Sequence, residues 1–371
     1  MFFFKIICKC VIISKGEGMN MNNRTIITLP VNPYGKMSVG RMTTPILGES
    51  LGKSMDSQFI MSVNLLSSFE KRTIDGFYEL MKQYNINPDY YWVDQEHIDE
   101  LINKIYYLIE KGYISEKESE ILRCDCGKIE LNKDNLNTIN LSDSLLEKID
   151  DDYYCKFCKS KCNTNTERVL VFNSRLVDKS NMKFYPEFIN KDKTTFDKTV
   201  GNNDIVISRD RNTGINLEYN NHNYNIDIDF LWEVYLSLFD SEEKIVMCCN
   251  RQLYQLYMVG MLEKCFNNTN KTVCLATPYL EHSTKEEELQ SRILSLKMFS
   301  LLVMKWAKKD NTFEYSLLKY LNTMNVEKKQ KLYDTMLEEI NVSDNISNDL
   351  KQVLTKQYNL QNSLNRMKKG R

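Results

Sequence analysis

Five of the eleven cysteines fall between positions 124 and 162, as Cys124-x-Cys126, a long gap, Cys155-x-x-Cys158 and then Cys162. Two close thiol pairs supply the four sulfurs that close a tetrahedral site around Zn2+. A Cys-x-x-Cys turn aims two sulfurs to one side of a knuckle, and Gly127 lets the backbone turn behind the first pair. Cys124, Cys126, Cys155 and Cys158 are the expected ligands, with Cys162 the alternate if the Cys-x-Cys bite proves too tight. Buried, inert thiols are the competing reading, but Arg123, Asp125, Lys128, Lys156, Lys159 and Lys161 around them are too polar for a core. Four sulfurs leave no open coordination position for water, so the metal is expected to be structural.

A second stretch with chemical potential is LPVNPYGKMSVGR, from Leu29 to Arg41. It follows the β-branched run RTIIT and precedes a helical pattern, which puts it beyond a strand's carboxyl end, where open α/β sheets bind ligands. Arg41 carries a permanent charge and a forked donor set suited to phosphate. Its plainer reading is a solvated charge at a helix start, where the helix dipole disfavours it. Lys285, in STKEEE, reads either as a second phosphate cation or as an exposed partner of the glutamates that follow it. Trp232, Tyr235 and Phe239 lie at helical spacing and read as core before pocket. His97 falls in a first helical turn and His222 in an asparagine-rich turn, so no histidine is expected in catalysis.

The elements that must position these groups alternate. RTIIT closed by Pro30 predicts a strand. A helix is expected from Thr44, with a threonine cap and Pro45 in its first turn. FIMSV, residues 59 to 63, predicts the next strand and FEKRTIDGFYELMKQY a helix. DQEHIDELINKIYYLIEKGYI has the strongest period, with Ile98, Leu101, Ile102, Ile105, Leu108 and Ile109 on one face, Asp94 as its cap and Gly112 at its end. Strand and helix in alternation predict an α/β fold with a parallel sheet, which the cysteine segment interrupts as an insertion. A second α/β stretch is expected to open at DIVISRD, residues 204 to 210, and to run through KIVMCCN. After Thr284 the pattern is helical, clearest in LQSRILSLKMFSLLVMKWAKK and LKQVLTKQYNLQNSLNRM.

Lysine plus arginine, 49, nearly balance aspartate plus glutamate, 50, so no global field draws the chain to nucleic acid or an anionic membrane. Basic residues gather only at Lys305 to Lys309, beside Trp306, and in the terminal NRMKKGR, which reads as a solvated tail. Free thiols at metal spacing in a large lysine-rich chain predict a reducing, cytoplasmic compartment. The opening MFFFKIICKCVII is too short to span a bilayer and no small-residue cleavage site follows it, so residues 1–22 are expected to be an extension ahead of Met19 or Met21, with no membrane contact.

Taken in order, these motifs resemble class I aminoacyl-tRNA synthetases, and most closely the methionyl-tRNA synthetase catalytic core, over residues 24 to 290. LPVNPYGKMSVGR is similar to that family's signature loop, of whose His-x-Gly-His motif only Gly40 remains, among Ser38, Val39 and Arg41. INPDYYWVDQEHIDELINKIYYLIEKGYI looks like the helix leading into the family's zinc-bearing connective insertion. VISRDRNTGI matches an Ile-Ser-Arg-Asp-x-x-x-Gly-Ile stretch at Ile207, Ser208, Arg209, Asp210, Gly214 and Ile215. IDIDFLWEVY resembles a strand bearing an aspartate and aromatics beside the amino-acid pocket, and KIVMCCNRQLYQLYMVGML the strand and helix closing the ATP site.

The resemblance implies a doubly wound, parallel, Rossmann-like (HUP-type) sheet: a first half over 23–115, a zinc-binding connective insertion over 116–200, a second half over 201–284 and a helical region over 285–371. It implies ATP, with Mg2+, held by Pro30, Asn32, Ser38, Gly40, Arg41, Asn250 and Gln252. An amino acid is then held by Leu29, Val31, Asp229 and Trp232, with Arg41 and Lys285 as catalytic cations and tRNA as the acceptor. The Lys-Met-Ser-Lys-Ser loop is absent as such, its nearest counterpart being His282, Ser283, Thr284 and Lys285. The expected function is formation of an aminoacyl adenylate. The alternatives are a catalytically degenerate paralogue that binds nucleotide or tRNA and regulates, and an unrelated zinc-ribbon interaction protein. Neither the amino acid nor the oligomeric state follows from the sequence.

Overall fold

A computed structural model of the chain describes residues 24–29, 39–66, 73–127, 129–133, 146–180, 182–185, 196, 200–209, 214–239, 241–249, 252–267, 271–277, 325, 327, 328 and 331. The expectations for residues 1–22 and for the helices after Thr284 fall outside them, apart from isolated positions. No helix among the described residues is long and apolar enough to cross a membrane.

The first half alternates as its periodicities require: β1 (Arg24–Thr28), α1 (Val39–Ser54), β2 (Gln58–Val63), α2 (Ile74–Gln83), β3 (Tyr90–Val93), a 3-10 turn at Asp94–His97 and α3 (Ile98–Glu110). Every residue of β1 is buried, as expected of a strand covered on both faces. Helix α1 spans Val39–Ser54 and carries Pro45 inside it, not in its first turn. Tertiary burial overrides the proline: Met42, Ile46, Leu47 and Leu51 are fully buried, while Pro45 forgoes only the bond to the Arg41 carbonyl. Asp94 does not cap α3. Its carboxylate instead accepts the Leu65 and Leu66 N–H groups at 2.7 and 3.2 Å, tying the end of β2 to that of β3.

An antiparallel layer follows. It contains β4 (Ile114–Arg123), β5 (Glu130–Asn132), a short hairpin of β6 (Leu146–Ile149) and β7 (Asp152–Cys155), and β8 (Asn163–Asn173). β4 and β8 pair along their whole length, from Ile114↔Phe172 to Arg123↔Asn163. β9 (Lys183–Tyr185) then returns to the parallel sheet, and β10 (Asp204–Val206) pairs with β8. DIVISRD therefore closes the antiparallel sheet rather than opening the second parallel run. A hairpin of β11 (Ile215–Tyr219) and β12 (His222–Ile226) leads to α4 (Ile228–Leu238), β13 (Glu243–Cys249), α5 (Leu253–Cys265) and β14 (Lys271–Thr277). IDIDFLWEVY, likened above to a strand, is helical from Ile228 because Asp227 caps it, accepting the Asp229 N–H at 2.8 Å.

The parallel sheet has the order β3-β2-β1-β13-β14-β9. Its chain order reverses between β1 and β13, which are adjacent, with Thr28 opposite Met247. α3, α4 and α5 pack on this sheet around a core that includes Leu101, Ile105, Leu231, Tyr235, Tyr257 and Leu262. At the amino ends of the central strands Arg24 reaches Glu243 through Nε at 2.8 Å and Nη2 at 2.6 Å. One residue on, the fully buried Lys244 donates to the Leu236 and Phe239 carbonyls at 3.2 and 2.9 Å and pairs with Glu263.

Gly214, ahead of β11, has φ +96°, and a Cβ there would overlap the Ile226 carbonyl oxygen. Gly214→Ala is expected to cost about 2 kcal/mol, from backbone strain with that overlap, read as a lower urea midpoint at unchanged m.

Candidate functional site

Two knuckles build the cysteine site. At the tip of β4, Gly127 (φ +69°) donates to the Cys124 carbonyl at 3.0 Å and turns the chain back, so that the Ile129 N–H reaches the Cys124 sulfur at 3.2 Å. After β7, Lys159 (φ +62°) donates to the Cys155 carbonyl at 2.8 Å and closes the second turn. The four sulfurs of Cys124, Cys126, Cys155 and Cys158 all lie within 4.8 Å of one another, with Cys124 to Cys126 at 3.1 Å and Cys126 to Cys155 at 3.7 Å. Zn–S bonds of about 2.3 Å in a tetrahedron hold sulfurs roughly 3.8 Å apart, a value inside this spread.

The donor set is therefore of the right number, type and size for a thiolate-bound metal. The Ser160 hydroxyl, 3.2 Å from the Cys158 sulfur, and the Ser160 backbone hold that thiol down at about 6. Cys162 stands outside the foursome: it packs with Leu122, Ile129 and Leu146 in the small core behind the knuckles, and burial pushes its thiol up to about 11.

The second constellation sits at the sheet's switch point. Leu29 is buried and donates to the Met247 carbonyl at 2.9 Å, fixing the carboxyl ends of β1 and β13 side by side. Gly40 and Arg41 lie in the first turn of α1, Gly40 half-buried and Arg41 exposed. The second turn crosses the strand ends, where the Thr44 and Thr277 hydroxyls meet at 2.9 Å and Thr277 donates to the Cys248 carbonyl at 3.1 Å. Gln252 precedes α5 and is tied to β13 by the Cys248 and Cys249 thiols, at 3.5 Å to its carbonyl and 3.3 Å to its Oε1. The N-termini of α1 and α5 thus rise from adjacent strands at one edge of the sheet. Pro30, Val31, Asn32, Ser38, Asn250 and Lys285 lie outside the described residues.

Asp229 and Trp232 are half-buried in the first turns of α4. Arg209 pairs through Nε with Asp227 Oδ2 at 2.8 Å and donates its N–H to the Asn225 carbonyl at 2.9 Å. One residue here was missed by sequence reasoning. Glu233 is a turn beyond Asp229 on α4 and almost fully buried; burial, with Asp229 and Asp227 nearby, pushes its carboxyl well above the usual range against the pull of Arg209. Tyr254, in the first turn of α5, is likewise raised by burial and then by Glu233. The available signal was an acid at i+4 from another inside the apolar run IDFLWEVYLSL.

A separate cleft of about 640 Å3 opens between the antiparallel sheet and the β11–β12 hairpin. Three arginines line it, and each is ion-paired: Arg123 with Glu130 and Glu167, Arg168 with Glu116, Arg209 with Asp227. The two histidines among the described residues are engaged locally. His97 stacks on Trp92 at 3.8 Å, and His222 Nε2 meets Arg168 at 2.6 Å.

Among solved structures the fold is similar to methionyl-tRNA synthetases of Mycobacterium tuberculosis. The apo form aligns with a TM-score of 0.54 at 12% identity, over 76% of this chain and 62% of that one. A form bound by methionyl-adenylate aligns with a TM-score of 0.53 at 12% identity, over 74% and 64%. Another structure, in complex with methionyl-adenylate, gives 0.50 at 12% identity, over 68% and 57%. This chain thus spans less than two thirds of the length of each. The likeness shows the fold alone, an α/β architecture built on a parallel sheet like that of these synthetase structures. No family model matches the sequence, and no curated protein matches it.

Proposed function

We propose that the chain is a class I aminoacyl-tRNA synthetase-like protein that activates an amino acid with ATP, releasing pyrophosphate and forming an aminoacyl adenylate for transfer to tRNA. The observation that carries this reading is the switch point. The N-termini of α1 and α5 converge on the carboxyl ends of β1 and β13, and helix N-termini in such a crevice are ready-made phosphate sites. Two of the solved neighbours that share the fold are described with methionyl-adenylate bound, which supports an adenylate-forming reading.

In the reaction the amino-acid carboxylate attacks the α-phosphorus and the bond to the pyrophosphate oxygen breaks, so no enzyme nucleophile is needed. Negative charge builds on the phosphate oxygens, and the protein's task is positioning and electrostatic stabilisation. Arg41, in the first turn of α1, and Lys285, after the strand that ends at Thr277, supply that charge. Mg2+ accompanies ATP as part of the substrate. The four cysteines hold Zn2+ as a structural ion, which supplies fold and no open coordination position. A cytoplasmic setting suits both the free thiols and this reaction.

Arg41→Ala and Lys285→Ala are each expected to lower the rate of ATP–pyrophosphate exchange about a hundredfold, roughly 3 kcal/mol of transition-state stabilisation, with His97→Ala near wild type. Equal losses in all three variants would remove the two cations from the mechanism.

The second reading is a paralogue that binds nucleotide or tRNA without turnover. Ser38 and Arg41 favour it, because they stand where the resembling family carries histidines. An assay of exchange across the standard amino acids separates the two, since a protein that binds ATP yet exchanges with none of them belongs to the second.

A further inference from the structure

The amino-terminal half of α4 carries acid where its pattern calls for apolar residues. Asp227 caps the helix, Asp229 lies in its first turn, and Glu233 follows one turn deeper on the same face. Among the described side chains that feel Glu233, Arg209 is the one cation, and its Nε is already on Asp227 at 2.8 Å. Glu233 is 2% exposed, and its Oε1 has no hydrogen-bond partner among the described residues. Gln255, in the α5 turn that also holds Tyr254, presents another buried and unpartnered oxygen, Oε1. Gln255 Oε1 is an acceptor and the Glu233 carboxyl becomes one at both oxygens on ionising, and a buried acceptor is costly until a donor reaches it.

The position gives the cluster its meaning. α4 runs back along the sheet from Asp227, so its acidic start lies beside the first turn of α5 and hence at the switch point. From Asp229 to Glu233 the helix rises about 6 Å, close to the reach of an extended lysine side chain. We infer that this acidic face of α4 seats the positively charged side chain of the ligand, so that the amino acid taken by the crevice is a basic one of lysine type. The inference rests on the activation reading for what happens next, but the binding stands alone. A thioether side chain such as methionine's would leave Glu233 and Gln255 unpaired, and sites built around buried polar groups reject ligands that fail to pair them.

The test uses the full chain. Calorimetric titration with lysine, norleucine and methionine separates the side-chain charge from chain length and from the α-ammonium, which all three share. Lysine is expected to bind about a hundredfold or more tighter than norleucine. Glu233→Gln is expected to bring the two within a few-fold by weakening lysine alone. Because the buried carboxyl must ionise to meet the cation, lysine binding is also expected to release protons, seen as a dependence of the measured heat on buffer ionisation enthalpy that norleucine does not show. Asp227, Asp229, Arg209 and Tyr254 face the same space, and Glu233→Gln assigns the proton among them.

Norleucine or methionine binding as tightly as lysine would overturn the inference, and the wild-type comparison decides it even if the variant does not fold. Pyrophosphate exchange keeps the two readings distinct. Exchange with methionine and not lysine sinks this inference and leaves activation standing, whereas selective lysine binding without exchange does the reverse.

Discussion

Chelation of the metal is expected to release about one zinc per chain and to unfold the cysteine-bearing end of β4–β8 while the parallel sheet stays folded. The small core there consists of Leu122, Ile129 and Leu146 with three of the thiols, too little apolar surface to offset the entropy of ordering two knuckles. Metal binding must supply the difference, and structural zinc sites contribute on the order of 10 kcal/mol or more. Cys155→Ser combined with Cys158→Ser is expected to reduce zinc from about one per chain to none, by elemental analysis of the purified protein. Retention of stoichiometric metal, or the absence of metal in the wild type, would defeat the site. Cys162→Ser is the control, since Cys162 lies in the core behind the ligands, and it should keep the metal.

Lys244→Ala is expected to be the most destabilising single substitution in the parallel core, at about 4 kcal/mol. All three ammonium donors are in use, on the Leu236 and Phe239 carbonyls that end α4 and on the Glu263 carboxylate of α5. Removing the cation takes from the buried Glu263 the ammonium it pairs with and strands two carbonyls at a helix end. A second change, Glu263→Gln, should recover the part due to the stranded charge and not the part due to the carbonyls. Urea denaturation of the two single variants and the double gives the coupling directly. A coupling near zero would mean that the pair contributes no more than an exposed ion pair does.

The cysteine foursome was legible because its chemistry is local in sequence: two short spacings and a glycine fix two turns, and the turns bring the sulfurs together. The alternation from β1 to α3 was legible for a similar reason, since burial on one side imprints a period. What failed was set by distant parts of the chain. Pro45 reads as a helix start, yet α1 begins earlier because Met42, Thr43 and Thr44 are buried, with Thr44 meeting Thr277 at the end of β14. Asp94 reads as a cap, but the backbone it accepts from is at Leu65 and Leu66. β9 is three residues long, and nothing in KFY announces a sheet edge.

The sequence puts Gly40 after β1 and Gln252 after β13 through the order of its elements, and those two strands are adjacent in the sheet. It gave no hint of Glu233. A glutamate in an amphipathic pattern reads as the solvated face, and only the packing of α4 against α5 buries it. Lys244 was hidden in the same way, inside a strand whose neighbours all read as core.

The long pairing of β4 with β8 joins two regions that are stabilised differently. Its root, Ile114 against Phe172, belongs to the main core, while its far end, Arg123 against Asn163, adjoins the cysteine knuckles roughly 30 Å away. Between them Lys117, Glu118 and Glu120 are exposed. Amide hydrogens along this one strand should therefore exchange with deuterium by two routes. Those near Ile114 wait for global opening, whereas those near Arg123 wait only for the metal to leave, so a trace of chelator should accelerate the second set and not the first.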